Sequence, residues 1–413
     1  MERAIAMILA GGRGKRMDIL CHERPKPALP FAGRFRVIDF SLSNCIHSEV
    51  KNIAILTDYQ RSSMANYLKG WYSMNRIPES FEILEPKAGS YSGTANAVYQ
   101  NLDYLREQRA DKVLILAGDH IYKMDYRKML AFHEQVKADV TVGVIPVPIE
   151  EAHRFGIVTT DSQHRIVDFT EKPKMPQSNL VSMGIYIFNR EILAERLAED
   201  AALPDSPHDF GYAIIPKTTK RDRVFAYKYD GYWQDIGTTK AYFEANIELT
   251  YRQPLYSLDG TWPLFTEGND LPLPKKSQQG TIISSLVSPG CVIKGHVENS
   301  ILSPGVWVDE KAVVRNSVLL SNAFVGYHSV VDHCILDEGA TVGKFCYTGY
   351  GTSLNSGDIT VIGRNVTVPP HTAVGRSCTI FPHIGAADFS TNVVPSGTVM
   401  SPQSSTLVKG GQR

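Results

Sequence analysis

Three stretches of the chain combine residue types that could do chemistry on a phosphate. The first is Leu9-Ala10-Gly11-Gly12-Arg13-Gly14-Lys15-Arg16, three glycines and three cations directly behind the apolar run Ala4-Ile5-Ala6-Met7-Ile8-Leu9. Glycines at a strand-to-helix turn let backbone N–H groups approach a phosphate closely, and a helix beginning there adds positive potential. The spacing is neither GxGxxG nor a Walker A loop, so it indicates neither a dinucleotide fold nor a P-loop. A tight turn without a ligand is the plainer alternative. The second is Asp119, just past Val113-Leu114-Ile115-Leu116. A carboxylate at the C-terminal end of a parallel strand lies where open α/β sheets bind ligands. A hard cation such as Mg²⁺ takes one or two carboxylates plus substrate phosphates. On this context alone, Asp119 reads equally well as a strand-end turn residue. The third is Glu171-Lys172-Pro173, where Pro173 predicts an extended backbone at Lys172. A solvated Lys–Glu surface pair is the usual fate of such a dipeptide.

These residues need a scaffold, and the patterning of the first 250 residues describes one. Short apolar runs (residues 4–9, 113–116, 140–144) alternate with helix-like stretches such as Ala95 to Arg109 and Tyr126 to Val136. That alternation predicts an α/β domain over residues 1–252, with a parallel sheet and helices on both faces. Residues 253–280 hold Pro254, Gly260, Pro263, Gly268, Pro272, Pro274 and Gly280, which read as a linker. Residues 281–413 follow a third rhythm. Val306, Ala312, Val318, Phe324, Val330, Leu336 and Val342 recur every six positions, and the spacing resumes at Ile362, Val368, Val374 and Ile380. A six-residue period fits a β-solenoid whose sides each send one residue inward, three sides to a coil. The stretch from Cys346 to Asp358 breaks phase and reads as a loop leaving the coil.

Composition narrows the partners. Lys plus Arg and Asp plus Glu number 43 each. A net charge of zero gives no bulk attraction to nucleic acid or acidic membranes, so an anionic substrate must be held by locally placed cations. No apolar run has the length of a membrane span, and the N-terminus lacks a signal-peptide layout. Six scattered cysteines without a CxxC pair read as reduced thiols. A cytoplasmic protein is the expectation.

The ordered motifs carry a resemblance. Residues 9–17, then Arg24-Pro25-Lys26-Pro27-Ala28-Leu29-Pro30-Phe31, resemble the opening signature of the sugar nucleotidylyltransferases. Arg36-Val37-Ile38-Asp39-Phe40-Ser41-Leu42-Ser43-Asn44-Cys45 is similar to the ADP-glucose-forming branch. Tyr91-Ser92-Gly93-Thr94-Ala95, Ala117-Gly118-Asp119-His120-Ile121-Tyr122, Phe155-Gly156, Phe169-Thr170-Glu171-Lys172-Pro173, Ser182-Met183-Gly184, His208-Asp209-Phe210-Gly211 and Tyr232-Trp233-Gln234-Asp235-Ile236-Gly237-Thr238 follow in order. The set spans the first domain, and the hexapeptide half agrees with the family too.

The resemblance implies a Rossmann-like nucleotidyltransferase domain followed by a left-handed parallel β-helix. It implies the reaction of ATP with glucose 1-phosphate to give ADP-glucose and pyrophosphate, a step toward glycogen. Asp119 and Asp235 match the family's Mg²⁺ positions. Arg16 and Lys26 match cations that meet the triphosphate and, with Asp119, form the expected catalytic set. Leu9, Gly11, Gly12, Arg13 and Gly14, together with Gln60, Gly93 and Thr94, match the ATP side. Tyr91, Gly156, Glu171, Lys172, Ser182 and Asp209 match the glucose 1-phosphate side, although Asp209 reads nearly as well as a plain turn. A homotetramer and phosphorylated effectors are further implications. Glu23 departs from relatives that carry Lys just before the Arg-x-Lys-Pro segment, and a carboxylate there would repel a phosphorylated activator. Three other readings stand beside this one: a different nucleotide or sugar, a regulatory paralogue with a decayed site, or an acyltransferase using His328, His333, His371 or His383.

Overall fold

The computed structural model describes residues 4–75, 79–87, 89–108, 110–258, 260–268, 271–351, 358–402 and 408–409. The chain forms two compact units, neither of them continuous in sequence. One comprises Met1–Arg13, Val37–Asp235 and Thr261–Phe265; the other comprises Gly14–Arg36, Ile236–Gly260 and Thr266–Arg413.

The first unit is built on a Rossmann-like sheet that is nine-stranded among the described residues. Ala4–Leu9 lies between Asn52–Leu56 and Lys112–Ala117, parallel to both. Its side chains are buried almost throughout, which is why the run is apolar rather than alternating. The sheet is mixed, not purely parallel as the α/β alternation predicted. Leu180–Asn189 runs antiparallel to both Lys112–Ala117 and Val140–Pro146, and Gly156–Thr160 pairs antiparallel with Ile166–Glu171. The short connection from Gly156–Thr160 to Ile166–Glu171 is a hairpin, so it reverses the chain instead of crossing over. The helix expected from Ala95 to Arg109 is two short ones, Thr94–Tyr99 and Leu102–Glu107, and Arg109 lies outside the described residues. The core joins Ile5, Met7, Val113 and Ile115 to Val140, Val142, Phe188 and Leu197.

The second unit is a left-handed parallel β-helix with the strips 14–36 and 236–260 belonging to it. Val308 pairs with Val325 and Val325 with Val342, so a coil takes 17 residues. A strict six-residue period would need 18, and this corrects the phase read from sequence. Val325 and Val331 are fully buried, whereas Phe324 and Val330, one position earlier, are only half-buried. Val342 next pairs with Val368, so the coil containing Cys346 to Asp358 is longer. Residues 352–357 of that stretch lie outside the described residues.

The coil corners demand a left-handed backbone. Gly290, Gly305, Asn322, Gly339, Asn365 and His383 form one corner column, and Lys311, His328, Phe345 and His371 another, all with φ between 55 and 78°. Each later member's N–H donates to the coil before it, for example Asn322 to Pro304 O and His371 to Lys344 O. Gly and Asn, and less often His, tolerate that conformation. His333, with φ 57°, sits at a third corner. The four histidines that an acyltransferase would use are therefore all turn residues.

Within this unit the strips 14–36 and 236–260 are joined by polar contacts. Tyr242 donates from its hydroxyl to Pro30 O at 2.6 Å, and Ala32 N donates to Asn246 Oδ1 at 2.9 Å. Arg24 is ion-paired with Asp337, and its Nη1 lies 2.9 Å from Glu338 Oε1; Arg24 and Asp337 are both fully buried. All six cysteines are buried free thiols. Among the described residues no helix is long and apolar enough to cross a membrane.

Candidate active site

Parallel pairing brings the glycine loop and Asp119 side by side. Gly118 N donates to Leu9 O at 3.1 Å, and a side chain on Gly118 would meet that carbonyl. Gly11 lies against Asp58, whose backbone leaves no spare room for a bulkier residue there. Asp58 accepts from Tyr91 N at 3.3 Å, and the Arg13 guanidinium sits 5.6 Å from the Tyr59 ring centroid. Leu9, Gly11, Arg13 and Tyr91 therefore share one region of the first unit. Gln60 follows in the same loop, exposed and with φ 50°.

Gly14, Arg16 and Lys26 belong to the second unit. Gly14 has φ 60°, and the space where its side chain would go is filled by Cys21 and by Lys26 Cβ. Arg16 is exposed and Lys26 is buried. The sequence predicted a helix after this loop. The chain instead forms the short 3₁₀ segment Lys15–Cys21, broken at Asp18 (φ 49°, ψ −127°). Met17, Ile19, Leu20 and Cys21 are all buried. Four buried residues within five positions cannot lie on one helical face, so the helix-dipole part of the expectation does not hold.

Asp119 and Asp235 converge through a two-stranded sheet. His120–Tyr122 pairs antiparallel with Trp233–Asp235, with Asp235 opposite His120. His120 Nε2 lies 3.6 Å from Asp119 Oδ1 and 3.9 Å from Asp235 Oδ1, and one donor atom from each residue falls within 4.8 Å of the others. His120 Nδ1 is buried with no hydrogen-bond partner among the described residues. Two carboxylates and an imidazole suit a divalent cation that takes oxygen and nitrogen donors. Arg154 completes the surroundings, its Nη2 3.8 Å from Asp235 Oδ2.

A second cluster gathers the remaining residues. Gly156 pairs with Glu171 across the hairpin, and a side chain on Gly156 would meet Phe169 Cζ at 2.5 Å and Glu171 Oε2 at 2.7 Å. Lys172 Nζ lies 3.0 Å from Glu171 Oε1 and 5.6 Å from the Tyr212 ring centroid. Burial pushes the Glu171 carboxyl up against the opposing pull of Lys172. Burial also works against the Lys172 charge, but pairing with Glu171 outweighs it and holds the ammonium above its ordinary range. The extended backbone expected at Lys172 is not found: φ is 47°. Its N–H donates to Phe155 O at 3.0 Å, so the chain turns at the strand end despite Pro173. A non-glycine residue in that region stores strain of about 1–3 kcal/mol, as residues held for a purpose often do.

Thr94 and Asp209 meet directly. Thr94 Oγ1 donates to Asp209 Oδ2 at 2.9 Å, while Asp209 Oδ1 accepts from Gly211 N and Tyr212 N. The Asp209 carboxylate thus caps the turn that follows it. Gly93 is obligatory here, because a side chain would fall 2.3 Å from His208 O. Ser182 is buried and accepts from Gly184 N at 3.2 Å, within a register shift of its strand. Gly184 in turn lies against His120 Cε1. Tyr91 accepts from Asn101 Nδ2 at 3.0 Å, and burial pushes its phenol up to about 12.

This arrangement coincides with strong likeness to known proteins. A family model described as "Nucleotidyl transferase" matches residues 5–252, and one described as "GlmU-like, C-terminal hexapeptide" matches residues 272–368. A relative from Acetivibrio thermocellus named glucose-1-phosphate adenylyltransferase is 41% identical over 100% of this chain and 99% of its own length. Relatives of the same name from Thermomicrobium roseum and Fervidobacterium nodosum are 43% and 39% identical, over 97% and 89% of this chain and 98% and 92% of their own lengths. The chain belongs to the glucose-1-phosphate adenylyltransferase family. Two residues beside this family's motifs are not identified by sequence reasoning. His120 stands inside a quoted motif, next to Asp119, and its residue type was the available signal. Arg154 precedes Phe155-Gly156 and carried no signal, because its proximity to Asp235 arises only in three dimensions.

Proposed function

We propose that the protein is a glucose-1-phosphate adenylyltransferase, joining ATP and glucose 1-phosphate into ADP-glucose with release of pyrophosphate. The observation that carries this reading is the convergence of Asp119, His120 and Asp235 in the same unit as the Gly156–Glu171–Lys172 cluster. Full-length relatives bearing that name support it. In the reaction an oxygen of the sugar phosphate attacks the α-phosphorus of ATP, and the bond to the β-phosphoryl group breaks. Such transfer depends on positioning and charge neutralisation more than on covalent help. Lys172 neutralises the sugar phosphate, and Glu171, held beside it, accepts from sugar hydroxyls. Tyr91, Gly156, Ser182 and Asp209 shape the sugar side.

Leu9, Gly11, Gly12, Arg13 and Gly14 approach the nucleotide with backbone N–H groups, and Arg16 and Lys26 supply cations for the triphosphate. Gln60, Gly93 and Thr94 face the base. Asp119 and Asp235, with His120 beside them, would hold Mg²⁺, which supplies charge stabilisation to the phosphoryl oxygens. Residues 1–252 are the catalytic domain in this reading, 253–280 a linker, and 281–413 a domain for subunit contacts and effectors. A cytoplasmic homotetramer feeding glycogen synthesis, with phosphorylated metabolites as effectors, belongs to the same reading.

The test is pyrophosphate release with glucose 1-phosphate and each of ATP, UTP, GTP and dTTP, with and without Mg²⁺. ATP is expected to lead by at least about tenfold, a difference of about 1.4 kcal/mol. Equal rates with UTP would overturn the adenylyl assignment, and no turnover with any nucleotide would favour a regulatory subunit.

A further inference from the structure

We propose that Arg154 is a further phosphate-binding residue, its guanidinium contacting the phosphate of the sugar phosphate while Asp235 holds it in position. The inference rests on the adenylyltransferase reading. Arg154 is mostly buried, and three contacts fix its side chain. Nη1 donates to Glu151 Oε2 at 3.4 Å, the guanidinium carbon lies 5.3 Å from the Phe155 ring centroid, and Nη2 stands 3.8 Å from Asp235 Oδ2. That last separation is an ion pair but not a hydrogen bond. Nη2 is buried and donates to nothing among the described residues. Buried N–H groups are nearly always satisfied, so a guanidinium fork left with undonated hydrogens beside a metal-binding cluster points to an acceptor supplied from outside the chain. A phosphate matches the fork, because it can take two parallel N–H bonds.

The backbone decides which phosphate. Phe155, the next residue, accepts from Lys172 N at 3.0 Å, and Gly156 after it pairs with Glu171. Arg154 therefore stands at the start of the segment onto which the sugar-phosphate residues are built. It reaches from that segment toward Asp235. In this position it places positive charge on the sugar phosphate and limits how freely a cation binds Asp235 when no phosphate is present.

Two variants test this in the full chain. Arg154→Met keeps the stem over Phe155 and removes the charge; Arg154→Lys keeps the charge and removes the fork. Three quantities are measured: KM for each substrate, binding of glucose 1-phosphate by calorimetry with a non-hydrolysable ATP analogue present, and binding of Mn²⁺ alone. Arg154→Met is expected to raise the KM and dissociation constant for glucose 1-phosphate by at least about tenfold. Its KM for ATP should stay within about twofold, since the contact is on the other substrate. Mn²⁺ alone should bind Arg154→Met a few-fold more tightly, because a neighbouring cation has gone. Arg154→Lys should fall between. Unchanged glucose 1-phosphate binding with an unchanged Tm would make Arg154 a structural clamp and overturn the proposal. An equal rise in both KM values would overturn the assignment to the sugar phosphate. If the wild type binds glucose 1-phosphate without turning over, the adenylyltransferase reading falls, and the binding comparison still decides the role of Arg154.

Discussion

Asp119 immediately precedes the strand His120–Tyr122, and the antiparallel pairing of that strand with Trp233–Asp235 makes Asp119 and Asp235 neighbours. Asn is nearly isosteric with Asp, so Asp119→Asn should leave packing intact. In the proposed reaction the substitution removes one negative charge from the site that would hold Mg²⁺. Loss of such a contact typically costs about 10²- to 10³-fold, and it should fall on kcat more than on KM. Steady-state kinetics at saturating Mg²⁺ decide this; near-normal kcat with an unchanged Tm would remove Asp119 from the metal. Lys172→Gln should behave differently, raising KM for glucose 1-phosphate while KM for ATP moves little. An equal rise in both would separate Lys172 from the sugar side. At this scale residue types and order were readable from sequence, because motifs carry the groups a reaction needs. Their surroundings were not. The φ of 47° at Lys172 follows from a bond to Phe155, and Arg154 meets Asp235 only across the fold.

Elements were legible where burial dictates a long apolar run, as in Ala4–Leu9 and Lys112–Ala117. Strand direction was not, since an apolar run looks the same read parallel or antiparallel, and Leu180–Asn189 reverses. The solenoid was legible from its period, but one residue is lost per coil, so a strict count of six drifts off the inward column by Phe324. Helix Tyr126–Gln135 carries the clearest pH sensor among its neighbours. His133 is buried, with Nδ1 2.8 Å from Thr141 Oγ1 and Nε2 3.2 Å from Asn189 Oδ1. Burial lowers its pKa from the ordinary 6.5 to about 4. A histidine depressed in the folded state binds fewer protons there than in the unfolded chain, so its contribution is full above pH 6.5 and is lost as pH falls toward 4. The amount is roughly 3 kcal/mol. Denaturant midpoints measured from pH 7 to pH 4 should fall, and His133→Gln should flatten that fall. A parallel pair of curves would place the sensitivity elsewhere.

At the scale of the molecule, the chain leaves the sheet unit after Arg13, returns at Val37, and leaves again after Asp235. The strip 14–36 differs from its flanks in holding three prolines and eight charged residues, but composition does not say which unit it joins. Its attachment is instead a buried ion pair between Arg24 and the Asp337–Glu338 step of the solenoid. Breaking one side of such a pair leaves an uncompensated charge and typically costs about 3–5 kcal/mol. Arg24→Met should therefore destabilise its unit by that order in chemical denaturation. The double variant Arg24→Met, Asp337→Leu should recover part of the loss, and a double variant as unstable as the sum of the singles would mean the pair does not act as one unit. Glu23, next in the chain, lies 2.7 Å from His383 Nε2 and 3.6 Å from Arg364 Nη1, so its carboxylate is already engaged within the same unit.

The Arg24–Asp337 pair spans 313 positions of sequence. On a ribosome adding about 5–20 residues per second, the partner of Arg24 emerges roughly 15–60 s after Arg24 itself. For all of that time Arg24 lacks the carboxylate that pairs with it, and its guanidinium must stay in water. The sheet segment Val37–Asp235 is synthesised entirely within the interval. A nascent chain stopped short of Asp337 therefore carries the internal strip 14–36 without the carboxylate that buries Arg24, while the strand before it, Ala4–Leu9, already has its sheet partners.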